Sequence, residues 1–379
     1  MTKMAEKFGA WVFDIEHRFY GEKLPTKNMS TRNLAYLSSR QAVADVANFI
    51  EAMKSRHREL ANAKWITIGG SYSGNLAIWS RVLHPELVFA AVGSSAPLLA
   101  EVDFKEYLEV VEKSIFRASA ECAFSVAHGF RTIGDLLKTE KGVEKLESLF
   151  GYDINITDSK NVAYFWDSMI STYSVIVQYA EPEGHSESIQ NAICKFHLDP
   201  NLDILEKMKK VEVDYDRRKS QDGELVVSSN SQEDREDRAW SWQVCTEFGY
   251  SMSTDSPVAG AFFGGVNHVP VDVLIDRCTA KFGPGFNKAT IYKAVESTNK
   301  YYGGLDLSKS SRLILPNGDI DPWHTLGKLT SDDPLIVPIL INGSSHCADM
   351  YEDSPDDSIY MIAARKKISD TLAAWLGIY

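Results

Sequence analysis

A short strand-like run that passes through two glycines into a serine is the strongest constraint on how this chain folds. Trp65–Gly70 has the β-branched character of a strand, and residues 75–83 follow with a helical pattern. Such a strand–turn–helix holds a serine on a turn so tight that only small residues fit beside it. Gly69 and Ser73 take the flanking positions of the G-x-S-x-G spacing, so Ser71 is the predicted nucleophile. The alternative is an ordinary glycine-rich turn of another α/β protein.

Two later stretches supply partners for this serine. Residues 312–315 form a predicted buried strand followed by a turn that contains Asp321, and the apolar run 335–341 ends shortly before His346. Open α/β sheets place their chemistry just past the carboxyl ends of their strands. A serine hydroxyl needs a neutral imidazole to take its proton, and the imidazole needs a carboxylate to fix its tautomer. The order of Ser71, Asp321 and His346 is that of an α/β-hydrolase triad.

Other residues compete for these roles. Ser73 has no glycine two residues before it, which argues against it as the nucleophile. Asp319 competes with Asp321 for the acid, and we expect Asp321 because it precedes the Pro-Trp pair. His324 is too close to the acid in the same loop to lie between acid and serine, and a structural role is expected for His17.

Blocks spread along nearly the whole chain resemble one family of serine peptidases. They are Glu16-His-Arg-Phe-Tyr-Gly21, Gly69-Gly-Ser-Tyr-Ser-Gly74, Ser94-Ser-Ala-Pro97 with Asp103-Phe104, Gln243-Val-Cys-Thr-Glu-Phe248 and Asn317-Gly-Asp-Ile-Asp-Pro-Trp323. The family includes lysosomal Pro-X carboxypeptidase, dipeptidyl peptidase 2 and thymus-specific serine protease, and the resemblance is closest to the thymus-specific branch.

This resemblance implies an α/β-hydrolase core interrupted by a large helical cap. The core would comprise residues 1–100 and 306–379, and the inserted cap residues 101–305. It also implies the same triad and an exopeptidase that hydrolyses short peptides, with a preference near proline. Two alternatives stay open, which are an ester or lipid hydrolase and a pseudoenzyme or interaction protein.

The first residues lack the apolar core of a signal peptide. Residues 1–9 resemble the end of a helix that stops at Gly9, and residues 10–15 are predicted to form a strand. Members of the family have further strands before that helix, so we expect the N-terminal strands of the sheet to be missing. A loop among them would supply the second oxyanion donor, and the backbone N–H of Tyr72 would supply the first. The pseudoenzyme alternative depends on this expectation.

The first lobe, residues 1–100, otherwise alternates strands and helices. An apolar stripe at helical spacing covers residues 42–53, and predicted strands at 65–70 and 88–92 flank the next helix. This order predicts a parallel sheet. From about residue 103 to 298 the pattern is mostly helical, and its highly charged stretch 209–238 predicts a solvated helix face or a loop.

A capped helix is predicted to close the chain. Ser354 is the expected N-cap, with Pro355 at the first helical position and Asp357 at the third. Gly377 would end the helix, because glycine is common just past a helix end.

Charge and composition exclude several classes of partner. A formal net charge of −12 over 379 residues argues against nucleic acid and anionic membranes, which need a basic face. No apolar run approaches the ~20 residues of a transmembrane helix. The cysteines and histidines lack metal-ligand spacing, so neither a metal nor another cofactor is expected. The expected partner is a peptide substrate, and a homodimer is left open.

Cysteines and glycosylation sequons bear on the compartment. The sequons lie at Asn28, Asn155 and Asn342. They favour the secretory route, whereas buried free thiols in a cytosolic protein are the alternative. Four cysteines allow three pairings. The family resemblance implies Cys122–Cys194 and Cys245–Cys278, together with a lysosomal or secreted location, and Cys347 is then either free or bridged to a cysteine upstream.

Specificity is less constrained by the sequence. A proline pocket needs a small apolar slot with aromatic walls, and Trp323 beside the predicted acid is the best candidate wall. Two further candidate pocket positions, Asn75 and Tyr250, are often apolar in the family, so their polarity weakens the expectation of proline selectivity. Glu247 and Arg238 are candidate contacts for a peptide terminus, and a structural ion pair is equally expected for either.

Overall fold

A parallel sheet lies at the centre of this mixed α/β chain, whose computed structural model describes residues 2–182, 185–221 and 232–378. The strands among these residues are β1 Trp65–Gly70, β2 Val88–Ser94, β3 Glu101–Asp103, β4 Gly249–Ser251, β5 Leu313–Gly318 and β6 Ile336–Ile341. Strands β1, β2, β5 and β6 are neighbours in that order and all run parallel, and the short β3 and β4 pair separately. The predicted parallel sheet is confirmed.

Most of the other described residues are helical. The α-helices are α1 Thr2–Phe8, α2 Thr31–Leu34, α3 Ser39–Arg56, α4 Ser71–Leu83, α5 Glu106–Ala118, α6 Ala120–Leu136, α7 Glu140–Phe150, α8 Ser159–Gln178, α9 Lys195–His197, α10 Ile204–Gln221, α11 Gln232–Gln243, α12 Pro257–Phe262, α13 Val271–Phe282, α14 Lys288–Tyr302 and α15 Ile359–Leu376. Gln190–Cys194 and Val244–Phe248 are π-helical, and Arg58–Leu60, Pro322–Leu326 and Ala348–Met350 are 3₁₀ turns. The predicted helices near 42–53 and after residue 71 are present as α3 and α4.

The sheet is covered on both faces, which explains its continuous apolar strands. Successive side chains of a strand point to opposite faces, so neighbours in sequence enter different cores. Ala91 and Leu313 join Trp79 of α4 in one core, whereas Ala90 and Ile314 join α15 on the other side. The β-strands therefore hold their carboxyl ends, where the candidate site lies, on a frame that is packed from both sides.

Residues 106–302, here called the helical region, build their core from the helices between β3 and β5. Phe130 packs edge to face on Tyr173 and on Phe263, and these residues belong to the same buried cluster as Trp79 of α4, which packs on the sheet. A disulfide joins Cys122 to Cys194 over 72 residues of sequence. The helical region and one face of the sheet thus share a continuous hydrophobic core.

Two local predictions are wrong. Residues 10–15 form no strand, because no described strand lies beside them to complete a hydrogen-bonded ladder, and Trp11 and Val12 remain exposed. The closing helix α15 begins at Ile359 with Ser358 as its N-cap, since Ser358 Oγ accepts from the N–H of Met361. Ser354 instead forms a preceding turn in which its N–H donates to Asp357.

The charged stretch 209–238 divides between two helices. Its ends belong to α10 and α11, and residues 222–231, where a loop was the other expectation, lie outside the described residues. No helix in the described part of the chain is long and apolar enough to cross a membrane.

Candidate active site

Ser71 lies at a strained turn between β1 and α4. Its φ of +56° is in the left-handed region, which costs energy for any residue with a side chain. The turn is tight enough that a Cβ on Gly69 would lie 2.2 Å from the carbonyl oxygen of Ser73. A Cβ on Gly74 would come within 3.0 Å of the carbonyl oxygen of Ser94 at the end of β2. These contacts give the physical reason for the glycines around Ser71.

Asp321 and His346 meet past the ends of β5 and β6. Nδ1 of His346 lies 2.8 Å from Oδ2 of Asp321, and the two side chains are 3 % and 0 % exposed. The other carboxylate oxygen accepts the N–H of Trp323, and the N–H of His346 donates to the carbonyl of Gln178 on α8. Both members of the pair are therefore held by backbone contacts as well as by each other.

The pair leaves one imidazole nitrogen available. Nε2 of His346 is buried and has no hydrogen-bond partner among the described residues. Burial by itself lowers the pKa of His346, but the charge and hydrogen bond of Asp321, with a smaller contribution from Cys347, outweigh burial and hold that pKa above its ordinary value. An imidazole oriented in this way can accept a proton at Nε2 and keep the resulting charge next to an anion.

The turn after His346 is packed against the turn before Ser71. A Cβ built on Gly70 would lie 2.9 Å from Sγ of Cys347, and Cys347 itself has a left-handed φ of +56°. The N–H of Cys347 donates to Ser95 Oγ, which ties this turn to the end of β2. The residues adjacent to the predicted nucleophile and base are thus in contact.

The competing residues have other partners. Asp319 accepts from Arg117 and from the N–H of Gly343, and it makes no hydrogen bond to His346. His324 lies with Nδ1 2.6 Å from the backbone carbonyl of Asp321. His17 contacts the hydroxyl of Tyr72, with 3.0 Å between Nε2 and the oxygen.

Trp323 belongs to an aromatic cluster beside the Asp–His pair. Its ring centroid lies 5.0 Å from that of Tyr250, 5.4 Å from that of Phe104 and 6.3 Å from that of His346. Its indole N–H donates to the side chain of Gln178. No motif in the sequence points to Gln178, because its contacts to Trp323 and His346 depend on where α8 packs.

Asn75 and Tyr250 are both buried and both donate to one acceptor. Their donor atoms lie 3.0 and 2.7 Å from the carbonyl oxygen of Pro97. Burial raises the pKa of Tyr250, so the hydroxyl stays neutral. The polar ends of these two candidate pocket residues are therefore engaged within the chain.

Glu247 and Arg238 are engaged as well. Both oxygens of Glu247 accept hydrogen bonds from Ser39, and one also accepts from Gln243. Nε of Arg238 donates to the carbonyl of Met29. The two residues make no salt bridge with each other among the described contacts, and each has a partner inside the fold.

The remaining sequence features have definite places. Cys122–Cys194 and Cys245–Cys278 are disulfides in the structure, and Cys347 is free. The three sequon asparagines are exposed. No group of three or more His, Cys, Asp or Glu among the described residues has a metal-binding arrangement.

A strained serine after one strand of a parallel sheet, with a buried Asp–His pair after two others, is the arrangement of a mixed α/β serine hydrolase. The family described as serine carboxypeptidase S28 matches residues 1–368, so the chain belongs to this family of serine peptidases.

Curated relatives agree with this assignment along almost the whole chain. A protein of Caenorhabditis elegans named as a serine protease is 50% identical, covering 99% of this chain and 77% of its own length. Thymus-specific serine protease of Mus musculus is 33% identical over 98% of this chain and 76% of its own length. Lysosomal Pro-X carboxypeptidase of Homo sapiens is 24% identical over 99% of this chain and 77% of its own length.

Proposed function

We propose that this protein is a serine exopeptidase that hydrolyses short peptides with Ser71 as nucleophile, His346 as base and Asp321 as the orienting acid. The observation that supports this most is the buried Asp321–His346 pair with an unpartnered Nε2. The close approach of Gly70 to Cys347 supports placing the serine and the imidazole in one site. The division into a core and a cap over residues 101–305 is part of the same proposal.

The proposed reaction follows from these positions. Ser71 Oγ attacks the scissile carbonyl carbon while its proton passes to Nε2 of His346, and Asp321 stabilises the imidazolium. The N–H of Tyr72 donates to the developing oxyanion. His346 then gives the proton to the leaving amine, and water releases the acyl group by the same steps in the second half of the reaction.

The aromatic cluster supports a preference for an apolar ring next to the scissile bond. Trp323 lies beside His346, and Tyr250 and Phe104 pack against Trp323. A pyrrolidine ring offers shape and apolar area but no hydrogen-bond donor, so an aromatic wall suits it. The polarity of Asn75 and Tyr250 is less of an objection than the sequence suggests, because both donate to Pro97. The name of the Pro-X carboxypeptidase relative agrees with proline as the preferred residue.

We place the protein in the lysosome or outside the cell. Two disulfides are favoured in oxidising compartments, and the three exposed sequons at Asn28, Asn155 and Asn342 are accessible for glycosylation. The lysosomal name of one relative points the same way.

Active-site labelling tests the nucleophile. A fluorophosphonate probe should label the wild-type protein and Ser73→Ala, while Ser71→Ala should not be labelled. Ser73 is the matched control because it is an exposed serine two residues away in the same turn. Labelling that survives Ser71→Ala would remove Ser71 from the mechanism, and an unlabelled wild type would favour a pseudoenzyme.

Substrate comparison then tests the class of reaction. Peptides with proline next to the scissile bond should be cleaved faster than matched alanine peptides and faster than p-nitrophenyl esters of long acyl chains. Release of one or two residues from an end identifies an exopeptidase. A clear preference for the esters would instead identify an ester or lipid hydrolase with the same strand–turn–helix around Ser71.

A further inference from the structure

We propose that Gln243 and His17 are positioning residues for catalysis, because together they fix the hydroxyl of Tyr72 and with it the backbone N–H that follows the nucleophile. This inference rests on the proposed function, in which that N–H stabilises the oxyanion. Gln243 comes from the end of α11, 171 residues after Tyr72, and His17 comes from the first lobe. Neither residue is part of the triad.

The direction of each hydrogen bond can be assigned from the partners. His17 Nδ1 lies 2.7 Å from the carbonyl oxygen of Arg18, which only accepts, so Nδ1 carries the proton. Burial lowers the pKa of His17, so the ring is neutral and Nε2 accepts. The hydroxyl of Tyr72, 3.0 Å from Nε2, must therefore donate to His17. Its oxygen is left to accept from Gln243 Nε2, which lies 2.8 Å away.

The amide of Gln243 is fixed in the same way. Its oxygen accepts from the hydroxyl of Tyr20 at 2.6 Å, which sets which end of the amide is the NH₂ group. The two protons of Nε2 then go to Tyr72 and to Oε2 of Glu247, 3.0 Å away. Gln243 is fully buried, and every hydrogen-bonding atom of its side chain is used.

Glu247 anchors this chain of bonds to the first lobe. It accepts from the N–H and the hydroxyl of Ser39, and Ser39 Oγ also lies 2.9 Å from the hydroxyl of Tyr302. Glu247 is part of the π-helical segment Val244–Phe248, a rare geometry that is common at functional sites. The disulfide of Cys245 holds the same segment.

These hydrogen bonds can affect the reaction because they hold the residue next to the nucleophile. Tyr72 directly follows Ser71, whose left-handed backbone can relax if the next residue turns. Holding the far end of the Tyr72 side chain keeps its peptide plane in place. A buried network with every member satisfied is rigid, which suits an oxyanion donor that must be oriented before the charge develops.

The central test compares two variants, each of which lacks one tyrosine hydroxyl. Tyr72→Phe deletes the network contact. Tyr173→Phe is the matched control because the hydroxyl of buried Tyr173 lies 2.8 Å from Nε2 of His197 in the helical region, as that of Tyr72 lies 3.0 Å from Nε2 of His17. We expect Tyr72→Phe to lower kcat about tenfold, less than the 10²–10³ lost with an entire oxyanion donor, with KM within about twofold. Tyr173→Phe should leave kcat within about twofold while lowering the melting temperature at least as much.

Inhibitors separate positioning from packing. A peptide boronic acid forms a tetrahedral adduct that uses the oxyanion donor, whereas the product peptide does not. Tyr72→Phe should weaken inhibition by the boronic acid about tenfold and leave inhibition by the product unchanged. Equal weakening of both inhibitors, or equal kcat in the two Tyr→Phe variants, would overturn the proposal.

A double-mutant cycle provides a second test that does not depend on one variant. Gln243→Met removes the same donor from the other side with little change in length. If the two residues act through one contact, the double variant should be no slower than the slower single variant. Independent, multiplicative losses in kcat would overturn the proposal. A wild-type protein that the fluorophosphonate probe does not label would instead count against the proposed function itself.

Discussion

Two buried histidines, His346 at the sheet edge and His197 in the helical region, have opposite pKa shifts. Burial lowers the pKa of His197 to about 3, and its nitrogens contact the hydroxyls of Tyr173 and Ser125. His346 is buried to a similar degree, but Asp321 raises its pKa above the ordinary value. Burial alone therefore disfavours the protonated form of a histidine, whereas a buried carboxylate beside the ring stabilises that form.

The surroundings of the two histidines differ as well. In the helical region, the buried His197 has neutral hydroxyl partners, Tyr173 and Ser125, and a disulfide joins Cys122 to Cys194. The residues past the carboxyl ends of the strands include a buried carboxylate–imidazole pair, an unpartnered nitrogen and a strained backbone at Ser71. Strain and unsatisfied groups are characteristic of functional sites rather than of packing.

The largest predicted effect comes from removing the charge that distinguishes His346. Asp321→Asn should lower kcat about 10⁴-fold, as the corresponding change does in other serine proteases, because the amide stabilises the wrong tautomer. Asp319→Asn is the control two residues away, and since it loses only the partly exposed ion pair with Arg117, kcat should stay within about threefold. A larger loss for Asp319→Asn would mean that the acid is misassigned.

The pH dependence of the rate tests whether Asp321 controls the pKa of His346. His346 must be neutral to accept a proton, so kcat/KM should fall at low pH as the ring becomes protonated. Because Asp321 raises the pKa of His346, the residual activity of Asp321→Asn should persist to lower pH than that of the wild type. The check is kcat/KM measured across the pH range for both proteins. An acid limb that stays in place would show that the carboxylate does not control this pKa.

His197 should affect stability and not chemistry. His197→Leu leaves the hydroxyl of Tyr173 without its partner and takes one of two partners from Ser125, whose hydroxyl still donates to the backbone carbonyl of residue 197. This loss should cost about 2 kcal/mol in the free energy of unfolding near pH 7.5. The folded pKa is below the unfolded 6.5, so this contribution is complete above pH 6.5 and is lost as the pH falls towards about 3.

Chemical denaturation at pH 7.5 and pH 4.5 measures this difference. The destabilisation by His197→Leu should be smaller at pH 4.5. His128→Leu is the control, because His128 is exposed on α6 and should change stability by less than about 0.5 kcal/mol at either pH. A destabilisation by His197→Leu that is larger in acid would contradict the assigned neutral state.

The smallest predicted effect on stability concerns Glu247, a buried carboxyl group that accepts hydrogen bonds from the neutral side chains of Ser39 and Gln243. Burial raises its pKa, so its contribution to stability is present below the unfolded value of 4.5 and is lost as the pH rises through the folded value. The free energy of unfolding of Glu247→Gln, taken relative to that of the wild type, should therefore be higher at pH 7.5 than at pH 4.5. The difference should be less than about 1 kcal/mol. Melting curves at the two pH values test this, with Glu86→Gln on the exposed surface as the control. The opposite trend would show that the hydrogen bonds from Ser39 and Gln243 outweigh burial.

Much of the fold could be predicted because its signals are local. The β-branched run before Ser71 and the glycines around it report a strand and a tight turn within a few residues. The disulfide pairs and the family followed from resemblance, not from spacing, and both are found. The start of α15 was misplaced because Ser354 and Ser358 both have capping chemistry, and only the helix geometry chooses between them.

The sequence by itself determined the family, the parallel sheet and the order of serine, acid and imidazole along the chain. Tertiary structure decided that Asp321 rather than Asp319 meets His346, and that Gln178 and Gln243 contact the site from the helical region. The reason is physical: strand and turn preferences act over a few residues, whereas these contacts join side chains 25 to 171 positions apart. Only packing of the helices against the sheet brings such groups within hydrogen-bonding distance.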